Sequence, residues 1–353
     1  MKYAVILNGD QNAPHLKIYT NILDEKNISY DVISWDRSGR FGKSEFTYNA
    51  KSDLKQNSLM KLMSYVKFAS FIKKLIKKFR YDKLIIISPQ VALFMPFFLR
   101  SNYRKNYIFD YRDLSIEQMP IFKPFMKMVL KNSYANIISS PGFKQYLPQG
   151  FDYILSHNFN IDLVKQTLAG EPSYFDASPI KILTIGGIRI DANYEVIDSL
   201  ANKDYIELSF IGKGDAAPIF EEYCKQKDIK NVTFKGFYTK DEEGDIIKKH
   251  TMINIFYPKI PSHITALSNR FYNSLIFKRP MIVTKGGIQG MYAEKYGVGL
   301  AVENRDHLSE NLNDYLCHLD FNDYVQNCNK LLSQFVDDYN VFRKAIDVFL
   351  SNK

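Results

Sequence analysis

The sequence predicts an α/β protein made of two doubly wound, Rossmann-like domains that face a cleft. Short β-branched runs alternate with longer helical patterns along most of the 353 residues, and strands separated by helices imply crossovers within a parallel sheet. The strand series begins a second time near residue 180, after a segment with glycine, serine and proline. Hydrophobic residues form 46% of the chain, which is enough for two cores.

The order of the strands sets the predicted domain limits. Candidate strands of the first half are YAVILN, YDVISW, KLIIIS, NYIFDY, NIISS and DYILSHN, and those of the second half are IKILTIGG, IELSFIG, VTFKGF, MINIFY, PMIVT and GVGLAV. We therefore predict a first domain at 1–160, a linker at 161–179, a second domain at 180–320 and a C-terminal helix at 321–353 that packs back toward the first domain. Ligands of doubly wound sheets bind at the carboxyl ends of the strands, so the residues that follow each strand are the site candidates.

Charge is distributed unevenly between the two halves. Residues 1–160 hold 24 Lys and Arg against 12 Asp and Glu, and the remainder holds 23 against 26. A basic first domain indicates an anionic partner, whether nucleic acid, a phosphate-bearing substrate or a membrane surface. The three cysteines show no CxxC pair and no His-spaced pattern, which disfavours disulfides and structural zinc. Without a long apolar run or a signal-peptide pattern, the sequence predicts a cytoplasmic location.

Two glycine-containing turns follow predicted strands of the second domain. LTIGGIRID places Gly186, Gly187 and Arg189 between a buried strand and a helix start, and FIGKGDAAPI repeats the arrangement around Lys213. Backbone N–H groups at a helix start, with a cationic side chain beside them, suit a diphosphate. Neither turn is a Walker loop or a GxGxxG motif, which disfavours ATPases and dinucleotide enzymes. The alternative is a tight βα turn with a solvated basic side chain.

A series of motifs continues from these turns in a fixed order. They are GG-x-R, GKGD, NVTFKGF, INIFYP, SNRFYNSL, KRPMIVTKGG and GVGLAV, preceded in the first half by IFDYRDLSIEQMP and HNFNID. The order resembles the donor domain of GT-B glycosyltransferases, particularly retaining enzymes of glycosyltransferase family 4. HNFNID is similar to the pNGvD segment with which such enzymes leave the first domain. IFDYRDLSIEQMP resembles the D-x-R-D-L segment of members that build bacterial surface polysaccharides.

The resemblance assigns roles to the helix that contains SNRFYNSL. Family members often carry N-K-x-x-E there, so Asn269 matches the asparagine, Arg270 the lysine near the phosphates, and Asn273 the glutamate that holds the donor's ribose hydroxyls. A second glutamate is usual eight positions earlier, where this chain has Thr265. An amide oxygen still accepts a hydrogen bond from a ribose hydroxyl, without the charge that strengthens it. The alternative is a helix start with a capping asparagine and a solvated arginine.

The candidate catalytic residues lie in the first domain. Asp113 follows the predicted strand NYIFDY, where a carboxylate can accept or orient the proton of an acceptor hydroxyl, and Arg112 could hold Asp113 ionised. His15 lies in the first βα loop, where the resemblance implies an approach to the donor sugar and the acceptor. The alternatives are a structural Arg–Asp pair that caps the next helix, and a surface histidine.

The segment SYVKFASFIKKLIKKFR (64–80) predicts a basic amphipathic helix, with no acidic residue at 54–81. Its predicted apolar face holds Tyr65, Phe68, Phe71, Ile72, Leu75, Ile76 and Phe79. This pattern is typical of helices that insert at anionic bilayers, so the cations Lys73, Lys74, Lys77 and Lys78 are predicted to face a membrane. The alternative is a core-packed helix with a solvated face.

These observations predict a retaining, nucleotide-sugar-dependent hexosyltransferase, peripheral at the inner face of a bacterial membrane, that extends a lipid-linked saccharide of capsule, exopolysaccharide or O-antigen. Its partners would be the nucleotide sugar, the lipid-linked acceptor and the anionic membrane surface. No cofactor is expected and no metal is required, because nothing resembles a DxD carboxylate pair. Arg189, Arg270 and Lys213 would stabilise the leaving diphosphate. The alternatives are a sugar-nucleotide epimerase of the same fold and a non-catalytic partner subunit; a nucleic-acid binder lacks any recognised motif.

Overall fold

The computed structural model describes residues 1–352 except 10, 12, 38–43, 51–57, 177 and 190–192. The chain forms two compact units. Unit 1 comprises Met1–Asn158 and Asp338–Lys353, and unit 2 comprises Phe159–Asp337. Each unit contains one parallel sheet whose strands are connected through helices, which confirms the predicted class of two doubly wound α/β domains.

Unit 1 has a seven-stranded sheet over its described residues. Its elements before residue 158 are β1 (Tyr3–Leu7), α1 (Pro14–Glu25), β2 (Tyr30–Asp36), β3 (Thr47–Asn49), α2 (Ser58–Phe79), β4 (Lys83–Ile87), α3 (Pro89–Leu93), α4 (Pro96–Asn102), β5 (Tyr107–Tyr111), α5 (Lys123–Asn132), β6 (Ala135–Ile138) and β7 (Ile154–Leu155), with 3-10 helices at Ile116–Gln118, Pro120–Phe122 and Pro141–Gln145. The strand order is β3-β2-β1-β4-β5-β6-β7, and all pairs are parallel.

The central strands of unit 1 are buried along their whole length. Val5 of β1 lies opposite Ile85 of β4, and both are 0% exposed. Parallel strands that helices cover on both faces need such continuous apolar runs, which is why YAVILN and KLIIIS are recognisable in the sequence. Because β1 pairs with β2 on one side and β4 on the other, the strand order reverses beside β1. The carboxyl ends of β1 and β4 therefore mark the place where a ligand is expected.

Unit 2 has a six-stranded sheet over its described residues. Its elements are α6 (Ile161–Ala169), β8 (Ile180–Ile185), α7 (Asn193–Leu200), β9 (Ile206–Ile211), α8 (Ala217–Gln226), β10 (Val232–Lys235), α9 (Glu243–Lys248), β11 (Met252–Ile255), α10 (Pro261–Thr265), α11 (Asn269–Phe277), β12 (Met281–Thr284), α12 (Ile288–Tyr296), β13 (Gly299–Val302), α13 (Leu308–Cys317) and the first part of α14 (Phe321–Ser351). The order β10-β9-β8-β11-β12-β13 reverses beside β8, so the equivalent site lies at the ends of β8 and β11.

The long helix α14 contributes to both units. Its first part places Leu331 and Phe335, both at most 1% exposed, in the core of unit 2. Its second part places Phe342 and Ile346, also at most 1% exposed, in the core of unit 1. The chain therefore enters unit 2 after Asn158 and returns to unit 1 within this helix.

The segment predicted as a linker, 161–179, has structure of its own. Its first half is the helix α6, capped by the Asn160 side chain, which accepts from the Asp162 and Leu163 N–H groups at 3.0 and 3.3 Å. Val164 of this helix is 0% exposed and belongs to the core of unit 2. The apolar positions of a short helix were too few to distinguish it from a connecting segment.

The basic helix α2 extends over Ser58–Phe79, and its predicted apolar face lies in unit 1. Phe68 and Ile72 are 1% and 0% exposed, and the Phe68 ring packs 5.1 Å from Trp35 of β2. The predicted insertion of this face into a membrane is therefore corrected: it covers the sheet. Lys74, Lys77 and Lys78 are exposed, whereas Lys73 is half-buried. No helix among the described residues is long and apolar enough to cross a bilayer.

Candidate functional site

The carboxyl edge of the unit 2 sheet carries two glycine turns that touch each other. Gly186 follows β8 with φ +95°, and Gly212 follows β9 with φ +142°, a backbone region that favours glycine. A Cβ on Gly212 would lie 1.9 Å from the Gly186 carbonyl oxygen, and one on Gly214 would lie 1.9 Å from the Ile188 carbonyl oxygen. Only glycine permits these approaches, so the two predicted motifs form one packed surface.

Backbone hydrogen bonds hold these turns together and leave other N–H groups available. The Gly186 N–H donates to the Ile211 carbonyl at 2.9 Å, and the Ile188 N–H donates to the Lys213 carbonyl at 3.1 Å. Within the described part of the chain, the N–H groups of Gly187 and Lys213 have no acceptor. Fixed, neighbouring N–H donors bind phosphate oxygens well. The turns therefore present N–H donors of the kind that an anion can use.

Arg270, on α11, holds the first glycine turn. It is 7% exposed, and it donates Nε to the Ile185 carbonyl at 2.6 Å and Nη2 to the Gly187 carbonyl at 3.0 Å. Its Nη1 makes a longer contact of 3.4 Å with the Asn254 carbonyl at the end of β11. The guanidinium thus connects the ends of β8 and β11 to the glycine turn that follows β8. Sequence reasoning missed this role, and a contact of Arg270 with a donor phosphate stays a prediction.

The start of α11 differs from the alternative that the sequence left open. Ser268 is the capping residue, because its Oγ accepts from the Phe271 N–H at 3.3 Å and donates to Gln289 Oε1 at 2.7 Å. Asn269 is the first helical residue and is exposed. Its side chain is therefore on the outside of unit 2, at the edge that carries the glycine turns.

The two positions that the resemblance aligned with glutamates, Asn273 and Thr265, are both buried. Asn273 is 9% exposed and lies one helical turn after Arg270. Thr265 is 0% exposed, and its hydroxyl donates to the Pro261 carbonyl at 2.7 Å within α10. The Thr265 hydroxyl thus has a hydrogen bond inside its own helix.

Exposed cations follow four strands at this edge. Arg189 comes after β8, Lys213 after β9, Lys259 after β11 and Lys285 after β12. Lys259 and Lys285 each pair with a glutamate. Arg189 and Lys213 have no ion-pair partner among the described residues. Two such cations beside the glycine N–H groups make this edge attractive to an anion.

Two aromatic residues after β10 were not singled out from the sequence. The Lys213 ammonium lies 4.8 Å from the centre of the Phe237 ring, which is 66% exposed. A Cβ on Gly186 would lie 3.8 Å from the Tyr238 hydroxyl, which donates to Glu243 at 3.2 Å. Burial and the Glu243 charge raise the pKa of Tyr238 to about 12, so this hydroxyl remains a donor at neutral pH. The aromatic pair directly after the strand in VTFKGFYT was the available signal.

A buried ion pair lies at the carboxyl edge of the unit 1 sheet. Arg112 donates Nε and Nη2 to Asp110 Oδ2 at 2.9 and 2.7 Å, and the Tyr19 hydroxyl donates to the same oxygen at 2.7 Å. Arg112 also donates to the Ser156 carbonyl and hydroxyl, both at 3.0 Å. Asp110 is 0% exposed, and its Oδ1 has no hydrogen-bond partner among the described residues. The predicted pairing of Arg112 with Asp113 is corrected, because the guanidinium turns inward to the carboxylate within β5.

Asp113 is exposed on a loop that a buried glutamate holds in place. Glu117 is 4% exposed, and its Oε1 accepts from the Tyr111 hydroxyl and the Ser115 N–H, both at 2.6 Å. These bonds fix the turn that follows β5. Asp113 therefore lies on a loop that is hydrogen-bonded to a buried glutamate, and its side chain is exposed.

His15, in the first turn of α1, is half-buried near the Asp110–Arg112 pair. Burial lowers the pKa of His15, the positive charge of Arg112 lowers it further, and the charge of Asp110 acts in the opposite direction. The imidazole is consequently neutral at pH 7 and can accept a hydrogen bond or a proton. The structure thus brings two of the predicted catalytic residues, His15 and Arg112, into one electrostatic environment.

Ser88 is a further candidate that sequence reasoning missed. It follows β4 with φ 129° and ψ 131°, a strained conformation for a residue other than glycine. Its N–H donates to the Asp110 carbonyl at 3.0 Å. Backbone strain is concentrated at functional sites, and Ser88 lies where the strand order reverses, which makes it a candidate. The strand-Ser-Pro pattern in KLIIISPQ was the available signal.

Comparison with known proteins places the fold. No protein-family model and no curated protein matches the chain. Among solved structures, it is similar to sucrose-phosphate synthase from Thermosynechococcus elongatus, with a TM-score of 0.72 and 14% identity over 100% of both chains. HepE from Anabaena in complex with UDP has a TM-score of 0.63 and 13% identity over 100% of both chains. The apo form of the lipopolysaccharide outer core galactosyltransferase WaaB has a TM-score of 0.62 and 14% identity over 99% of both chains.

At these identities the similarity shows the fold. Both parallel-sheet α/β units, with seven and six strands in their described parts, match those of GT-B glycosyltransferases. The described residues contain no group of three or more His, Cys, Asp or Glu side chains placed to hold a metal ion.

Proposed function

We propose that the chain is a nucleotide-sugar-dependent glycosyltransferase, a retaining hexosyltransferase that extends a lipid-linked saccharide of a bacterial surface polysaccharide. In this proposal unit 2 binds the donor, and unit 1 binds the acceptor and carries the proton-handling residues. The observation that supports it most strongly is the pair of interlocked glycine turns at the carboxyl edge of unit 2, with N–H groups that have no acceptor in the described chain beside Arg189 and Lys213.

The donor diphosphate would be bound by that edge. The N–H groups of Gly187 and Lys213 would donate to phosphate oxygens, and the side chains of Arg189 and Lys213 would supply countercharge. Negative charge on the diphosphate grows as the sugar leaves, so these contacts strengthen in the transition state, where they lower the barrier. The proposal requires no metal ion, because the two cations neutralise the leaving group. Arg270 would act on the same step by holding the Gly187 carbonyl and thus the turn.

The nucleoside part has polar and aromatic neighbours at the same edge. Asn273 would accept from a ribose hydroxyl through its amide oxygen, without the charge of the usual glutamate. The exposed ring of Phe237, with Lys213 4.8 Å from its centre, offers a flat face for a nucleobase. HepE, one of the similar structures, was solved with UDP, so uridine nucleotides are the first donors to test.

The acceptor hydroxyl would meet residues of unit 1. His15, neutral at pH 7 because of burial and Arg112, can take up or orient its proton. Asp113 is the exposed carboxylate on the loop after β5, whereas Asp110 is fully buried in its ion pair. The excess of basic residues in the first 160 positions suits an acceptor carried at an anionic membrane surface, on the cytoplasmic side where nucleotide sugars are available.

The donor can be found without knowing the acceptor. The protein should be incubated with a panel of nucleotide sugars, with thermal unfolding and slow hydrolysis as readouts. A donor present at about 100 times its Kd stabilises the folded protein by about 2.7 kcal/mol. The double variant Arg189→Gln/Lys213→Gln should lose this stabilisation. Lys285→Gln, which removes an exposed lysine paired with Glu294, is the matched control and should retain it.

Three other outcomes would redirect the proposal. If no nucleotide sugar and no nucleoside diphosphate stabilises the protein, donor binding is refuted and a non-catalytic partner subunit becomes the better interpretation. Stabilisation without hydrolysis, and without transfer to lipid-linked acceptors, would retain donor binding, refute the transferase activity and also favour a non-catalytic partner subunit. Conversion of a nucleotide sugar into its epimer, seen by chromatography, would identify an epimerase of this fold.

A further inference from the structure

The exposed side of α2 is divided along the length of the helix. In its first half, Leu59, Met63 and Val66 are 66%, 54% and 53% exposed. In its second half, Lys74 and Lys77 are exposed on the same side, as their helical spacing from the first three requires. The opposite side packs in the core of unit 1. One surface of this helix therefore presents apolar side chains followed by cations.

Neighbouring elements carry further exposed apolar side chains. Phe97 on α4 is 59% exposed, and Met119 and Ile121, around the 3-10 helix after β5, are 54% and 67% exposed. The Lys73 ammonium of α2 lies 5.9 Å from the centre of the Phe98 ring, so α4 adjoins α2. Exposed apolar side chains thus also occur on α4, which adjoins α2, and in the segment after β5.

Aromatic contacts connect α2 to the segment that holds Ile121. Tyr65 of α2 stacks on Phe94 with ring centres 5.6 Å apart, and Phe94 contacts Phe122 at 6.0 Å. Phe122 is the residue after Ile121. These elements therefore pack against one another. We call their exposed apolar side chains the apolar patch: Leu59, Met63, Val66, Phe97, Met119 and Ile121.

Exposed cations lie on α2 and on α5, which adjoins α4 through Phe97 and Phe125 with ring centres 6.0 Å apart. Acidic residues are absent from the sequence segments that form most of the apolar patch. On α5, Lys123, Lys127 and Lys131 are exposed and four residues apart, which places them along one side. No acidic residue occurs at 54–81 or 118–151. A protein partner would need an acidic rim around an apolar centre, whereas an anionic bilayer offers both features at every point of its surface.

We propose that the apolar patch inserts into the headgroup region of an anionic bilayer, while the lysines of α2 and α5 contact anionic headgroups. The inserted residues differ from those of the sequence prediction, whose apolar face packs against Trp35 and the sheet. The inference rests on the proposed function in one respect, the lipid-linked acceptor that this contact would bring within reach of unit 1.

Flotation with vesicles tests the proposal. The full chain should float with an equal mixture of phosphatidylglycerol and phosphatidylcholine and should float much less with phosphatidylcholine alone. The variant Leu59→Gln/Met63→Gln/Val66→Gln should bind the anionic vesicles at least about tenfold more weakly, because three inserted side chains are lost. Phe97→Gln/Ile121→Gln should show a loss of similar size. Lys74→Gln/Lys77→Gln should weaken binding and reduce its salt dependence.

The control uses apolar residues of the same unit outside the patch. Val341 and Val348 of α14 are 58% and 42% exposed, and Val341→Gln/Val348→Gln should leave vesicle binding unchanged. Thermal unfolding checks that each variant is folded. If the triple variant of α2 does not fold, Ile121→Gln alone replaces it, because Ile121 is an exposed residue of the short 3-10 helix Pro120–Phe122.

Several results would overturn the proposal. The parent chain could ignore anionic vesicles, the patch variants could bind them as the parent does, or the control could lose binding equally. A dimer that dissociates in the patch variants, without any change in flotation, would assign the patch to a second copy of the chain. Nucleotide-sugar binding without vesicles should be the same in all variants. Vesicle binding by a protein that binds no nucleotide sugar would refute the proposed function and leave this inference standing.

Discussion

The carboxyl edges of the two sheets are built in different ways. In unit 1 the edge is organised by a buried pair of opposite charges, Asp110 and Arg112. In unit 2 it is organised by backbone geometry, with glycine turns in close contact and Arg270 bonded to carbonyl oxygens. Removing one partner of a buried ion pair is costly because it leaves the other charge buried without a partner. The glycine turns are in such close contact that an added Cβ would clash with a carbonyl oxygen.

The two edges contain both buried and exposed arginines and aspartates, which the sequence alone does not distinguish. Arg112 and Arg270 are 8% and 7% exposed and serve the architecture of their edges. Arg189 and Asp113 are exposed and are the residues that a substrate can reach. Under the proposed function, buried residues such as Arg112 and Arg270 are positioning residues and exposed ones such as Arg189 and Asp113 face a substrate, and the variants below test that distinction in each unit.

The largest effect is expected for Arg112→Ala. Its removal leaves the Asp110 carboxylate buried without its partner, which should lower the free energy of unfolding of unit 1 by about 3–5 kcal/mol. Trp35 is the single tryptophan and lies in β2, so its fluorescence during denaturant unfolding reports unit 1. The control is Arg104→Ala, at an exposed arginine of the same unit. A loss below about 1 kcal/mol would indicate a solvated pair.

Gly214→Ala should give a loss of about 3 kcal/mol in unit 2, since its Cβ would lie 1.9 Å from the Ile188 carbonyl oxygen. Nucleoside diphosphate binding should be lost with it. Calorimetry measures the change, and the Trp35 transition should not move. Gly236→Ala is the matched control, because a Cβ there meets nothing within 4 Å. Equal behaviour of the two variants would mean that the turns separate easily.

Asp113→Asn should reduce sugar transfer at least about 100-fold, the usual contribution of a general acid or base. Donor binding and the Trp35 unfolding midpoint should be unchanged. Asp110→Asn should instead lower the Trp35 unfolding midpoint. The Asp110 carboxylate accepts three hydrogen bonds from Arg112 and Tyr19, and its loss should make unit 1 less stable. Normal turnover in Asp113→Asn would show that Asp113 is a surface residue without a catalytic role.

Arg270→Ala should weaken nucleoside diphosphate binding by about 1.5–3 kcal/mol and also destabilise unit 2, since the Ile185 and Gly187 carbonyls lose a charged donor. The sequence alone predicts weaker binding with an intact fold, and the structure adds the loss of stability of unit 2. Arg189→Ala should weaken binding and leave thermal unfolding unchanged. If the two variants cannot be told apart by thermal unfolding, Arg270 does not hold the turn.

The smallest effect concerns pH. The pKa of His15 in the folded protein is below its ordinary value of 6.5, mainly because of burial. As the pH falls through about 6.5, the unfolded chain therefore takes up the proton first, and stability decreases. The Trp35 unfolding midpoint should be lower at acidic than at neutral pH, and His15→Asn should reduce this difference. His157, whose pKa burial also lowers, contributes in the same direction, so His15→Asn/His157→Asn should reduce it further.

Much of the architecture was predictable because it depends on the pattern of apolar residues along short segments of the sequence. Buried parallel strands need unbroken apolar runs, so β1, β4, β8 and β12 are visible as YAVILN, KLIIIS, IKILTI and PMIVT. The glycine turns were predictable for the same reason, since two glycines directly after a strand, adjacent at 186–187 and one residue apart at 212–214, indicate a tight backbone turn. The cation in each turn was also foreseen, because it lies within two residues of the glycines.

The amphipathic pattern of α2 predicts a helix with one buried side, but it does not show whether that side packs on the sheet or on a bilayer. A row of apolar side chains with the period of a helix shows that one side is shielded from water, and a sheet shields it as well as a bilayer does. Only the contact of Phe68 with Trp35, which is distant in sequence, decides between the two. The predicted apolar face did not include the exposed residues Leu59, Met63 and Val66, because they lie outside that row.

The sequence by itself determined which segments become strands and helices, where the second sheet begins, and which residues follow the strand ends. These properties depend on neighbours along the chain. The tertiary structure alone decided which charges are buried and what they contact. Arg270 reaches the Ile185 carbonyl across 85 residues, and Arg112 reaches Ser156 across 44. A hydrogen bond or ion pair forms between groups that the fold brings together, and its strength depends on how much water the fold removes, so neither the partner nor the burial of an arginine can be obtained from the residues beside it.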